Sequence, residues 1–261
     1  IDTAAPTVSS FTLSDSALKS GETATVELVF SEAVTGFASD DVTVPNGSLS
    51  TMTSSDNITW TGTYTPTADI EDDSNVLTLA TSYTDTAGNT GSSSTTANFT
   101  IDTAAPTVSS FTLSDSALKS GETATVELVF SEAVTGFASD DVTVPNGSLS
   151  TMTSSDNITW TGTYTPTADI EDDSNVLTLA TSYTDTAGNT GSSSTTANFT
   201  IDTAAPTLNA IETTAFSWGS VLNATEDNSD GTVSVTTSGA EDGQTLTITL
   251  NGATYTNTVS S

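Results

Sequence analysis

The chain has 261 residues and a formal net charge of −31, because 33 Asp and Glu residues face only two Lys and no Arg. His and Cys are absent, which excludes imidazole acid–base catalysis, thiolate nucleophiles, thiolate zinc sites and disulfide frameworks. The negative charge disfavours nucleic acid and anionic lipid surfaces as partners, and no apolar run is long enough for membrane insertion. Cations remain as the partners of a chain long enough for two or three domains.

This acidity has two interpretations. Uncompensated carboxylates repel one another and destabilise a compact state. Dissolved salt relieves the repulsion by screening, which is the halophilic interpretation. Divalent ions bound at specific sites relieve it more effectively, and the positions of the acids decide between the two.

The sequence is organised as a tandem repeat. Residues 1–100 are identical to residues 101–200, and a third copy begins at Ile201 and diverges at Leu208. A period of this length corresponds to an immunoglobulin-like sandwich of about 100 residues. The expected domains are residues 1–102, residues 103–202 and a partial module at residues 203–261. Identical copies favour a function that depends on copy number, and no enzyme is expected.

Within each repeat, apolar and polar residues alternate with a period of two. Val26 and Leu28, for example, alternate with Thr25 and Glu27, which predicts strands with one face in a core and one face in water. We therefore predict an all-β fold of tandem immunoglobulin-like antiparallel β-sandwiches in an elongated end-to-end array, with Trp60 packed in the core. Seven strands are predicted in the first repeat, at residues 8–13, 23–30, 41–45, 48–53, 57–65, 76–83 and 94–101.

The third segment differs from the two repeats. Strand-like runs occur at residues 231–237, 244–250 and 253–259, and Asn251-Gly252 between the last two is a strong hairpin signal. We expect residues 203–261 to be the first half of an immunoglobulin-like module of another subtype, truncated and with an exposed strand edge.

Five motifs recur in one order through both repeats. They are Asp-Thr-Ala-Ala-Pro-Thr, Lys-Ser-Gly-Glu-Thr-Ala-Thr-Val, Phe-Ser-Glu-Ala-Val-Thr-Gly-Phe, Asn-Gly-Ser-Leu and Tyr-Thr-Asp-Thr-Ala-Gly-Asn. With these motifs the repeats resemble the bacterial immunoglobulin-like domains strung in tandem through giant RTX-type adhesins of Gram-negative bacteria. The resemblance implies a secreted, monomeric extender at the bacterial cell surface, which spaces a distal ligand-binding region from the cell in adhesion or biofilm formation. It also implies that calcium stiffens the chain.

The loops of a seven-strand antiparallel sandwich alternate between two ends, here called the N-terminal and C-terminal poles. The N-terminal pole of the first repeat is expected to hold Asp2, Glu32 and Asp85, and the C-terminal pole an acidic loop at residues 69–73. When sandwiches follow end to end, carboxylates from both poles crowd one junction. This arrangement is costly unless a cation lies among them.

The ligand type indicates calcium. Carboxylate and carbonyl oxygens suit hard cations, and a flexible set of six to eight oxygens suits Ca²⁺ better than Mg²⁺. At the junction between the repeats, the predicted ligands are Asp102, Glu132 and Asp185, with backbone carbonyls such as those of Thr103 or Thr186 completing the shell.

Further candidate ligands surround this group. Asn189 comes from the second repeat, and Asp69 and Glu71 come from the preceding domain. The equivalent group at the N-terminal pole of the first repeat is predicted to bind calcium more weakly, because no preceding sandwich closes its shell. The alternative for each acid is an ordinary solvated loop charge.

Two other functions compete with an extender. A module that binds polysaccharide or a host surface would need exposed aromatic side chains, and Phe37 in a loop is the one candidate, although packing over the pole is also expected of it. A glycosidase would need paired carboxylates in a cleft, and nothing in this repeated sandwich pattern indicates a cleft.

Overall fold

The computed structural model describes residues 1–212, 234–250 and 252–260. In this part of the chain, no helix has the length and apolarity required to cross a membrane. The first repeat contains a 3-10 helix at Ser39–Asp41 and short strands throughout. The strands are β1 (Val8–Leu13), β2 (Ala17–Lys19), β3 (Ala24–Phe30), β4 (Val34–Thr35), β5 (Val42–Thr43), β6 (Gly47–Leu49), β7 (Thr59–Pro66), β8 (Glu71–Asn75), β9 (Thr78–Leu79), β10 (Thr84–Asp85), β11 (Ser94–Thr95) and β12 (Phe99–Asp102).

One layer of the sandwich is an antiparallel sheet in the order β1-β3-β7-β6. Leu28 in the central strand β3 lies opposite Phe11 in β1 and Trp60 in β7. Alternate residues of β3 are buried in the core, whereas Thr25 and Glu27 are exposed. The apolar positions of the alternation are therefore the buried face of the strand and the polar positions the exposed face, as predicted. The strands predicted at residues 8–13, 23–30 and 57–65 are confirmed to within two residues.

The opposite layer is built around one long hairpin. β8 and β9 run antiparallel to β12 and β11, from Glu71 opposite Asp102 to Leu79 opposite Ser94. β5 pairs with β9, and β4 pairs with β10. The predicted acidic loop at residues 69–73 is wrong from Glu71 onward, because strand β8 begins there. Pairing with β12 supplies the hydrogen-bond partners that outweigh the low β propensity of Asp and Glu.

This layer of the predicted sandwich also contains one parallel strand pair. β2 runs parallel to β12, with Lys19 opposite Asp102. β12 thus lies between β2 and β8, and the side chain of Ile101 is buried in the core. Asp102 is the last residue of this strand, so its backbone is fixed at the C-terminal pole of the first repeat.

The second repeat has the same architecture, with a 3-10 helix at Ser139–Asp141. An isolated bridge between Thr135 and Thr184 takes the place of the β4–β10 pair. The predicted domain ends at residues 102 and 202 coincide with the ends of strands. The strands are β13 (Val108–Leu113), β14 (Ala117–Lys119), β15 (Ala124–Phe130), β16 (Val142–Thr143), β17 (Gly147–Leu149), β18 (Thr159–Pro166), β19 (Glu171–Asn175), β20 (Thr178–Leu179), β21 (Ser194–Thr195) and β22 (Phe199–Asp202).

The third segment forms two antiparallel pairs. β23 (Thr207–Glu212) pairs with β24 (Ser234–Ser238), and β25 (Thr245–Leu250) pairs with β26 (Ala253–Thr258). Leu250 lies opposite Ala253, which confirms the predicted hairpin. The strand predicted at residues 231–237 is described only from residue 234, because residues 231–233 lie outside the described part of the chain.

Each repeat has its own aromatic core. Trp60 packs edge-on against Phe37, with ring centroids 4.9 Å apart, and it borders the buried cluster of the first repeat. This contact confirms the predicted packing role of Trp60. Tyr83 is fully buried, and its hydroxyl donates to the carbonyl of Ser92 at 2.7 Å. The ring of Tyr83 occupies the space that a side chain on Gly91 would need, since a Cβ there would lie 2.1 Å from Tyr83 Cε2.

Gly91→Ala should therefore destabilise the first repeat. Overpacking a filled core costs about 1–3 kcal/mol, whereas Ser93→Ala, on an exposed neighbour, should stay within about 0.5 kcal/mol of the parent chain. Urea denaturation of the full chain measures both free energies of unfolding. Equal midpoints for the two variants would contradict the close contact between Gly91 and Tyr83.

Candidate metal centre

The structure brings Asp102, Glu132 and Asp185 together at the boundary of the two repeats. One carboxylate oxygen from each residue lies within 4.8 Å of the others. Asp102 belongs to the first repeat and the other two residues to the second. Asp185 is 1% exposed, and the other two side chains are half-buried. The three segments predicted to converge therefore do converge; whether they bind an ion stays a prediction.

Backbone contacts hold each acid in place. Asp102 ends β12, where it pairs with Lys19 on one side and Glu71 on the other. Glu132 follows β15, and the neighbouring Ser131 donates its N–H to the carbonyl of Thr107 at 2.8 Å. These contacts fix the backbone from which the two carboxylates project.

Asp185 is held by the loop that it begins. Its Oδ1 accepts the backbone N–H groups of Gly188 at 2.6 Å and of Asn189 at 2.8 Å. Its Oδ2 accepts the side-chain amide of Asn189 at 2.7 Å. Gly188 has a positive φ of 98°, a conformation that glycine adopts without strain and that lets the loop close around the carboxylate. This motif is the Asp-Thr-Ala-Gly-Asn segment of the sequence.

The crowded charges change the affinity of two acids for protons. Burial raises the pKa of Asp102, and the negative charges of Asp185 and Glu71 raise it further. Burial also raises the pKa of Glu132, with added contributions from Asp185 and Asp102. Both groups therefore bind a proton more readily than an ordinary carboxylate does.

The first repeat carries the same group at its own N-terminal pole. Asp2, Glu32 and Asp85 also offer carboxylate oxygens within 4.8 Å of one another. Here Asp2 is exposed, and a hydrogen bond from Asn89 is the main cause that lowers the pKa of Asp85. The sequence is identical, so the preceding sandwich accounts for the greater burial at the junction. Within the described residues, these are the two groups of three or more acids that converge.

The remaining candidate ligands lie around this group. Glu71 pairs with Asp102 across the sheet, and Asp69 occupies an exposed turn with φ of 56°. Thr103 is tied to the first repeat by its N–H, which donates to the carbonyl of Ile70 at 2.7 Å. Asn189 is 3% exposed, and its side-chain oxygen accepts the backbone N–H of Ser20 at 2.9 Å.

Ser20 and Lys19 also contact this site, although neither was predicted from the sequence. Ser20 acts through its backbone N–H, which has no residue-type signal. Lys19 belongs to β2, a three-residue strand too short to show a period. The signal that could have found them is the position of the Lys-Ser-Gly turn at the C-terminal pole, where the next domain begins.

The arrangement suits a hard cation better than catalysis or glycan binding. Three carboxylates from two domains supply several oxygen ligands without imidazole or thiolate, a donor set typical of calcium sites. Phe37, the candidate aromatic platform, is 8% exposed and packs on Phe30 and Trp60. It therefore serves the core and offers no face to a ligand.

Two solved structures similar to the chain are fragments of titin. Among solved structures, the chain is similar to a three-domain immunoglobulin structure of titin with glutamate-to-alanine substitutions, at 15% identity, covering 80% of this chain and 69% of that chain with a TM-score of 0.44. It is also similar to an I-band fragment of titin, at 15% identity, covering 77% of this chain and 66% of that one with a TM-score of 0.41. A search of curated protein sequences finds no match.

A family of bacterial Ig-like domains matches the chain twice, at residues 2–101 and 102–201. These ranges follow the two sandwiches and place Asp102 at the start of the second copy, one residue before the predicted boundary. The two matches together span well over half of the sequence. The chain therefore belongs to the bacterial Ig-like domain family, as two tandem copies.

Proposed function

We propose that this chain is part of the extender region of a bacterial surface adhesin, and that Ca²⁺ bound by Asp102, Glu132 and Asp185 stiffens the junction between its repeats. The extender would space a distal ligand-binding region from the cell in adhesion or biofilm formation. The observation that carries the proposal is the convergence of three carboxylates from both sides of one domain boundary. The tandem family match supports an extracellular, spacing role.

Electrostatics explains why an ion would matter here. Two charged carboxylates about 4–5 Å apart repel by roughly 3–4 kcal/mol at an effective dielectric constant of about 20. A divalent cation among them replaces this repulsion with attraction to both domains. Calcium tolerates irregular sets of oxygen ligands, whereas magnesium demands near-octahedral geometry.

The linker suits a spacer. Residues 103–107 contain no Gly, and Pro106 fixes its own φ and biases Ala105 toward an extended conformation. Asn89 donates to the carbonyl of Ala4 at the N-terminal pole, whereas Thr103 contacts Ile70 at the opposite pole. The chain thus crosses each sandwich from pole to pole, over roughly 35–40 Å once the loops are added to strands that rise about 3.3 Å per residue.

Calcium should raise the melting temperature of the chain. For sites with a Kd of about 10⁻⁴ M, millimolar calcium adds roughly 1.4 kcal/mol of stability per site, because it binds the native poles and not the unfolded chain. Scanning calorimetry in calcium, in magnesium and in EDTA at matched ionic strength measures the effect. Magnesium should do less. Equal melting temperatures in calcium and EDTA would point to general halophilic acidity.

The stability of the calcium-free chain should depend on pH through Asp102 and Glu132. Because the pKa values of both are raised on folding, the folded state binds protons more readily than the unfolded state. Ionising these two groups in the folded state therefore lowers the free energy of unfolding. This loss is absent below the ordinary carboxylate pKa of about 4 and is complete once the pH passes the raised pKa values. In EDTA, Asp102→Asn should therefore lose less stability than the parent chain as pH rises from 4 to 7.

Other acids shift in the opposite direction, so the comparison between variants is the measurement. Backbone hydrogen bonds lower the pKa of Asp56 and of Asp156, which adds stability as pH rises. Asp2→Asn, at the corresponding position of the first repeat, is the control: it measures how removing one carboxylate from a pole changes the dependence of stability on pH. Identical pH slopes for Asp102→Asn and the parent chain would contradict the assigned repulsion.

The mechanical part of the proposal is tested by the distance between the repeats. The chain has no Cys, so Thr63→Cys and Thr163→Cys, both on exposed strand positions, give one spin label in each sandwich. Pulsed electron spin resonance should show a narrower distance distribution in calcium than in EDTA. Asp102→Ala should lose this response, because it removes the ligand that the first repeat contributes.

Asp2→Ala is the matched control for that experiment. It removes the same residue type from a pole with no preceding sandwich in the structure, so it should keep the calcium response of the labelled pair. A distribution that is the same in calcium and in EDTA for the parent chain would overturn the stiffening mechanism.

A further inference from the structure

The two identical repeats differ in their surroundings, and this difference isolates the contacts made at the junction. Asn89 is half-buried at the N-terminal pole of the first repeat, whereas Asn189 is 3% exposed. Lys19 is half-buried, whereas Lys119, its counterpart in the second repeat, is exposed. Both changes lie on the surfaces where the first repeat meets the second.

The side-chain amide of Asn189 joins the two domains. Its nitrogen donates to Asp185 Oδ2 at 2.7 Å and to the carbonyl of Asp102 at 2.9 Å, and Asn89 makes the corresponding bonds to Asp85 Oδ2 and to the carbonyl of Asp2 at the N-terminal pole of the first repeat. Its oxygen accepts the backbone N–H of Ser20 at 2.9 Å. The orientation of the amide is fixed by its partners, because the backbone N–H can only donate and the Asp102 carbonyl can only accept.

Lys19 adds a positive charge to the same contact. A methyl group on Gly188 would lie 3.1 Å from Lys19 Nζ, so the ammonium rests against the loop that holds Asp185. The ion pair of Lys19 with Glu22 is long, at 4.0 Å, and leaves the ammonium next to this loop. A cation of the protein itself thus lies beside the acidic boundary.

We infer that Asn189 is a positioning residue that docks the second repeat on the Lys19–Ser20 turn of the first, and that this docking holds without a bound metal ion. The inference deepens the proposed function, because it concerns the same junction, but its contacts involve protein atoms alone. The amide also restrains two of the three carboxylates, since it contacts both Asp185 and Asp102. The partner that the N-terminal pole fits is the C-terminal Lys-Ser-Gly turn of another copy of the repeat.

The test compares Asn189→Ala with Asn89→Ala in the full chain carrying the same two spin labels, in EDTA. Asn89 donates to Asp85 Oδ2 at 2.7 Å and also to the carbonyls of Asp2 and Ala4, so both variants lose the same bonds donated by the amide nitrogen. The bond from the backbone N–H of Ser20 is lost only in Asn189→Ala. We expect Asn189→Ala to lose the main distance peak and Asn89→Ala to keep the distribution of the parent chain.

A second pair of variants tests whether local unfolding of the loop, and not loss of docking, explains the result. Asn189→Asp keeps the size of the side chain and an oxygen that can accept the N–H of Ser20, but it replaces the donating nitrogen with a charge next to the carboxylates of Asp185 and Asp102, whose repulsion displaces the side chain from the turn. It should broaden the distribution as Asn189→Ala does, while Asn89→Asp should not. Distributions unchanged by both substitutions at position 189, or changed equally at positions 89 and 189, would overturn the inference.

The outcome is separable from that of the proposed function. The docking comparison is made in EDTA, so its result does not depend on the affinity of the chain for calcium. A chain that does not respond to calcium but loses its distance peak in Asn189→Ala would refute the stiffening mechanism and support the docking contact.

Discussion

At the boundary between the two sandwiches, the fold brings three carboxylates from two domains within 4.8 Å of one another. Asp102 is the end of a strand paired on both sides, and Asp185 is enclosed by the amides of its own loop. Each position is stable because of contacts that have nothing to do with the other acids. Burial at this boundary raises the pKa values of Asp102 and Glu132, and the repulsion from neighbouring carboxylates raises them further.

Two kinds of interaction oppose this repulsion, and they act differently. The neutral amide of Asn189 and the ammonium of Lys19 are always present and have fixed directions, so they determine how the second repeat is placed on the first. A calcium ion would contribute charge without a strongly preferred geometry. In the proposed extender, the protein contacts set the orientation of the junction and the ion sets its stiffness.

The parts of the structure that were predictable share a repeated pattern. The alternation in β3 and β7 predicted which faces are buried. The five motifs indicated the family that the chain matches. The alternation of loops between the poles predicted that Asp102, Glu132 and Asp185 lie together. β2 and β8 were missed because a three-residue strand shows no period and Glu-Asp-Asp-Ser-Asn has low β propensity. Both become strands by pairing with β12. The contact from Ser20 was missed because a backbone N–H looks the same in every residue.

The docking surfaces also bear on how such a chain can change over time. Each repeat carries the Lys-Ser-Gly turn at one pole and the Asp-Thr-Ala-Gly-Asn loop at the other, so both halves of the coupling are encoded in a single unit. Gain or loss of a whole unit by recombination between identical gene segments then creates a boundary with the same chemistry as those already present. Length can vary by one sandwich at a time without any new interface having to evolve.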